Sequence, residues 1–139
     1  MITNDNLNVS MFNAVRSAIV NSNPKVTEST GKFRRASVKA VYDDAKVTTP
    51  QIIISPLSVL ESEYTFGSND GKKLINVSVD CYYNNTLGID QLSDQVTKAV
   101  KDEDYEVLDL VGVSSDYAFV NPNEAKFHLK TVTFTFLKE

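Results

Sequence analysis

Near the N-terminus, apolar residues recur in steps of three and four: Met11, Val15 and Ala18, flanked by Phe12 and Ile19. That spacing sets them along one stripe of a helix over residues 7 to 20. Asn4, Asp5 and Asn6 offer capping side chains before it, and Asn23-Pro24 closes it, since a residue before proline is pushed out of helical geometry. Residues 22 to 34 show little periodicity and are rich in Ser, Thr, Asn, Gly and Lys, which predicts a loop or extended arm. From Arg35 the period becomes two: Ala36, Val38, Ala40 and Tyr42 alternate with Arg35, Ser37 and Lys39 until Val41 breaks the order. Val38, Val41, Tyr42 and Ala45 also fit a helical turn; the β-branched and aromatic content favours the strand.

Pro50-Gln-Ile-Ile-Ile-Ser-Pro56 is a short apolar run between prolines, as expected of a strand covered on both faces. Residues 57 to 66 extend it or form a second strand, and Gly67 to Gly71 is a dense turn signal. The clearest strand follows. Ile75, Val77, Val79, Cys81 and Tyr83 alternate with Asn76, Ser78, Asp80 and Tyr82, so one face is buried and the other wet. After Asn84-Asn85-Thr86, Ile89, Leu92, Val96, Ala99 and Val100 form a second amphipathic helix, with Asp90, Asp94, Lys98 and Lys101 outside. Asp90 and Asp94 are placed early, toward the positive helix end, and Asp102-Glu103-Asp104 opposes the negative end, so the helix should stop near Lys101. Residues 105 to 113 and 126 to 137 predict two closing strands, with 114 to 125 as a long turn. Strand runs with two interspersed helices and no βαβ alternation predict a single α+β domain over 1–139. We expect a mostly antiparallel sheet of about five strands, with two amphipathic helices packed on one face.

Composition narrows the function. At 139 residues the chain can bury a sizeable core without a metal or disulfide. Cys81 is the one cysteine and falls on the apolar side of its strand, which makes it a small core residue rather than a nucleophile. His128 is the one histidine, placed inside the last strand without a thiol partner. The sequence has no zinc-ligand spacing, phosphate loop or nucleophile elbow. Asp43-Asp44, Glu61, Glu63 and Asp102 to Asp104 lie at predicted turns, strand ends or helix ends and read as solvated acidic groups. We therefore expect no catalytic residues, no metal and no cofactor. No apolar run reaches the length of a membrane span and no secretion signal is evident, so no membrane partner is expected.

Charge adds one feature. The net charge is −4, yet residues 25 to 46 carry a balance of +3 from Lys25, Lys32, Arg34, Arg35, Lys39 and Lys46 against Glu28, Asp43 and Asp44. Such asymmetry points to an anionic partner or a charged subunit contact. No interleaved aromatics are apparent, so base stacking is not expected, only phosphate contact. Arg34-Arg35-Ala36-Ser37-Val38 also has the form that basic-directed Ser kinases accept, but a serine held extended in a sheet is a poor substrate.

The order of segments resembles the tail-terminator (tail-completion) proteins of long-tailed phages and related archaeal viruses. The residues that carry the likeness are the helix LNVSMFNAVRSAIV, a variable loop, the Pro-led strand TTPQIIISP, the long strand LINVSVDCYYN running into the helix IDQLSDQVTKAV, and two closing strands ending in TVTFTFLKE. The likeness covers most of the chain and rests on polarity patterns; residues 22 to 48 match least. It implies a non-catalytic virion protein of the tail or neck, assembled in the host cytoplasm. Such a protein forms a ring, usually a hexamer, that caps the tail tube and joins it to the head connector. Its partners would be further copies of itself, the tail-tube protein and the head-tail connector protein. On that reading Lys32, Arg34, Arg35 and Lys39 are candidate contacts for passing DNA, held non-specifically, or for the acidic Asp102, Glu103 and Asp104 of a neighbour. Tyr82, Tyr83, Tyr117 and Phe119, the arm at 22 to 34 and the loop at 114 to 126 are candidate interface elements. Other neck or tail structural proteins, a monomeric α+β module binding a small ligand, and a small carboxylate hydrolase are the rival readings.

Overall fold

The computed structural model describes residues 7–28, 30–39, 50–54, 58–62, 72–84, 86–105, 108–120 and 127–138. In chain order these give α1 (Leu7–Asn21), β1 (Lys25–Thr27), β2 (Phe33–Arg35), β3 (Ser37–Lys39), β4 (Gln51–Ile54), β5 (Ser58–Ser62), β6 (Lys72–Tyr83), α2 (Thr86–Lys101), β7 (Leu108–Val120) and β8 (Phe127–Lys138). The architecture is α+β: a mixed, mostly antiparallel sheet, a separate two-stranded sheet, and two helices against the main sheet.

The main sheet runs β3-β4-β6-β8-β7, with β5 also paired to β6. β4 faces Val79 to Tyr82 and β5 faces Lys72 to Asn76, so the two share one edge of β6 in succession. β8 occupies the other edge of β6 over its length, and β7 pairs β8 beyond it. Among the described residues only β3 and β4 are parallel. Six strands therefore fill five positions.

Period-two patterning decides the faces. Ile75, Val77, Val79, Cys81 and Tyr83 of β6 are buried, as are Val132, Phe134 and Phe136 of β8 beside them. α1 adds Met11, Val15 and Ile19 to this core, and α2 adds Ile89, Leu92, Val96 and Val100. Both helices thus cover the same face. The opposite face carries cross-strand polar pairs: Thr135 Oγ1 donates to Asn76 Oδ1 at 2.9 Å, Thr131 Oγ1 donates to Asp80 Oδ1 at 2.7 Å, and the Ser78 and Thr133 hydroxyls lie 3.4 Å apart. These pairs satisfy the polar groups of a strand that is apolar only on alternate residues.

β4 is buried along its length, as its proline-bracketed isoleucines predict. α1 ends where Asn23 takes a left-handed conformation at φ 52°, tolerated by asparagine, and Pro24 follows. α2 ends at Lys101, where expected. It begins at Thr86, however, which places Asp90 in the second turn, where its carboxylate meets Lys130 Nζ at 3.2 Å. The caps expected at Asn4 to Asn6 and the turn at Gly67 to Gly71 lie outside the described residues.

Two expected elements are corrected. The strand expected over residues 35 to 42 is present at Ser37–Lys39 as β3, but Arg35 belongs to β2 in the other sheet, the two divided at Ala36, whose N–H donates to the Pro24 carbonyl at 2.9 Å; residues 40 to 42 lie outside the described residues. Residues 114 to 120 are not part of a turn: they continue β7 to Val120, paired residue by residue with β8. Ser114, Ser115 and Asp116 look loop-like because β7 is an edge strand lying past the helices, where both faces meet water. Backbone bonds to β8 hold residues 114 to 118 extended with every side chain exposed, past the buried Leu108 and the half-buried Leu110.

Candidate functional site

The arm at 22 to 34 is ordered by a specific device. β1 and β2 form an antiparallel pair, Lys25 opposite Arg35, Val26 opposite Arg34 and Thr27 opposite Phe33. Gly31, at φ +84°, takes the left-handed position that glycine adopts without strain; its N–H donates to the Glu28 carbonyl, and the Glu28 N–H to the Lys32 carbonyl. The other edge of β1 would be bare, but α2 supplies partners. The Lys25 N–H donates to Gln95 Oε1 at 2.9 Å, Gln95 Nε2 donates to the Lys25 carbonyl at 2.7 Å, and the Thr27 N–H donates to Gln91 Oε1 at 2.9 Å. Two glutamines one helical turn apart thus imitate a neighbouring strand. Val26 is fully buried between them and the core.

This geometry divides the basic patch. Val26, Arg34 and Glu28 share the inner face of the arm, where Arg34 Nε meets Glu28 Oε1 at 2.6 Å. Lys25, Thr27, Phe33 and Arg35 share the outer face. Lys32 is exposed in the turn. Lys39 belongs to the main sheet, opposite Ile53 of β4. The four cations grouped from sequence are therefore not one surface. Phe33 corrects the expectation that aromatics are missing: it is 65% exposed, with Lys25 Nζ 4.8 Å above its ring centroid. A phenylalanine inside the basic run was visible in the sequence. What was not visible is that strand pairing turns it outward opposite Thr27, next to the facing pair Lys25 and Arg35.

The aromatic candidates also separate. Tyr82 projects to the polar face of the sheet, the alternate of buried Tyr83. Tyr117 lies on the helix-bearing side, half-exposed, stacked against the His128 imidazole with its hydroxyl hydrogen-bonded to Nδ1. Phe119 pairs in register with His128. Asp102, Glu103 and Asp104 are exposed at the far end of α2. The chain after them is anchored by Tyr105, whose hydroxyl donates to the Val100 carbonyl at 2.8 Å and whose ring meets Phe136 edge-on.

Cys81 is buried in the core, and desolvation, aided by the Asp80 charge, pushes its thiol up to about 12, with Lys130 opposing. Burial raises the Tyr105 phenol too, with Glu103 adding to it. Both groups stay neutral because charging them would cost hydration energy the core cannot return. Among the described residues no three His, Cys, Asp or Glu side chains gather as a metal site. Among them, too, no helix is long and apolar enough to cross a membrane. Ser37 is paired in β3, and its hydroxyl oxygen is buried without a hydrogen-bond partner among the described residues, which keeps it from a modifying enzyme.

Among the described residues, the outer face of the arm, the acidic end of α2 and the outer edge of β7 face solvent, as do Val9 and Val20 of α1 and Leu87 at the start of α2. Among the described residues β7 runs 13 residues at the sheet margin; it contains no lysine or proline, and the guards it carries are a bulge between Leu110 and Gly112 together with Asp109 and Asp116. Val111, Val113 and Tyr117 are exposed along it. No protein-family model matches the chain, and no curated protein matches it.

Proposed function

We propose that this chain is a virion structural subunit that assembles into a ring at the end of a viral tail. There it caps the tail tube and meets the head connector. The observation that carries the reading is the disposition of the exposed groups. Among the described residues they include an ordered arm, a helix end and a long sheet edge, all suited to meeting other protein chains. The order of elements supports it as well: an N-terminal helix, an arm, a proline-led strand, a long strand feeding a second helix and two closing strands. Catalysis plays no part in this function.

The test is the mass of the purified protein by light scattering over a range of concentration and salt, together with negative-stain microscopy. A ring-shaped species several times the mass of the chain is expected. A monomer that a small molecule stabilises against heat would replace this reading with that of a binding module.

A further inference from the structure

We infer that the outer face of the arm, Lys25, Phe33 and Arg35, docks on Asp102 and Glu103 of a second copy of this chain. This deepens the assembly reading above and rests on it for the identity of the occupant. Phe33 is two-thirds exposed on an ordered strand, opposite Thr27 and beside the cross-strand pair of cations Lys25 and Arg35. An apolar ring kept in water by a fixed backbone, with charges of one sign beside it, has the composition of an interface anchor. Asp102 and Glu103 supply the opposite sign, exposed on a segment fixed by the end of α2 and by Tyr105.

The two surfaces do not satisfy each other within one chain. β1 crosses α2 with Lys25 at Gln95 and Thr27 at Gln91, so the arm points toward the start of the helix. Asp102 lies seven residues beyond Gln95, roughly 10 Å further along the axis. Among the described residues no ion pair joins Lys25 or Arg35 to Asp102 or Glu103. Complementary patches at different places on one chain make a head-to-tail contact, and such contacts close into rings or extend as filaments. A nucleic acid is the less favoured occupant: the face offers one aromatic ring and two cations, and the rest of a chain of net charge −4 repels phosphate.

The experiment is a charge swap read by sedimentation velocity. Lys25→Glu with Arg35→Glu makes one variant, and Asp102→Lys with Glu103→Lys the other. Circular dichroism and protection of the Thr27 amide check that both fold with the arm docked. The wild type should self-associate, less strongly as salt screens the contact. Each variant alone should associate at least tenfold more weakly. An equimolar mixture should recover assembly, because each altered arm then meets an altered helix end of opposite charge. If the wild type forms rings and both variants do so with unchanged affinity, this contact is overturned while the ring reading stands. Variants that weaken singly but fail to recover when mixed also overturn it. A wild type that stays monomeric at every concentration overturns both. Loss of binding to a single-stranded oligonucleotide in the first variant, with assembly intact, overturns the contact and gives the face to DNA.

Discussion

Replacing Gln95 with alanine should release the arm without unfolding the domain. Gln95 makes two hydrogen bonds to the backbone of Lys25, one accepted and one donated, both partly buried. Each is worth about 0.5–1.5 kcal/mol net, so their loss costs about 1–3 kcal/mol. The arm has a further hold, burial of Val26, worth roughly 1.5–3 kcal/mol, and the Gln91 bond to Thr27. Opening should therefore become more frequent while the docked arm remains the main state. The reporter is amide hydrogen exchange at Thr27, whose own partner is Gln91 and is untouched by the substitution. A loss of about 2 kcal/mol should speed its exchange roughly 30-fold. The Val79 amide, in the middle of the main sheet, should change far less, because the arm opens as a local unit. Unchanged exchange at Thr27 would show that the glutamines do not hold the arm. Equal acceleration at Thr27 and Val79 would show that the arm and sheet open together, and would refute the reasoning from the other side.

Other outcomes follow from the same packing. Phe134→Ala empties a fully buried site on the helix-covered face of β8, and should lower stability by about 3–5 kcal/mol in urea denaturation. Thr135→Val, on the wet face opposite Asn76, should cost no more than about 1.5 kcal/mol in the same assay, which tests the assignment of faces. Cys81 should react with a thiol reagent in the native protein no faster than the protein opens, and at the full rate in denaturant. Its thiol is raised from 9.0 to about 12, so the native state keeps a proton that the unfolded chain loses. Stability from this group is therefore fully present below pH 9 and is lost as pH rises from 9 toward 12, and Cys81→Ala should flatten that part of the urea-midpoint profile.

The strongest patterns carried directly into structure. β6 and α2 were readable because each keeps one period over many residues and packs against a single core. β4 was readable because three isoleucines between prolines leave few alternatives. Failure came where tertiary pairing overrides local pattern. The alternation over 35 to 42 does give a strand at Ser37–Lys39, but Arg35 is drawn into the arm because Ala36 is a corner held by Pro24, a contact between residues twelve apart. β7 beyond Val113 has no apolar alternation, and among the described residues no helix covers it; the length of β8 explains its extent. The basic patch was visible as composition and not as a surface. Its division depends on which residues face each other across β1 and β2, and on Gln91 and Gln95, which nothing in the sequence pattern singles out. Glutamines one turn apart are too common to announce a docked strand. The aromatic candidates failed to converge for a simpler reason: Tyr82 and Tyr83 are neighbours on a strand and must face opposite ways.

The most direct test of the account is the mass of the assembled protein. Light scattering on the purified chain, from dilute to concentrated and from low to high salt, with negative-stain images of the same samples, reads it without any partner. The account expects a species of about six times the 15.4 kDa chain mass, ring-shaped in projection, that weakens as salt rises. A particle of 15.4 kDa under every condition would contradict it.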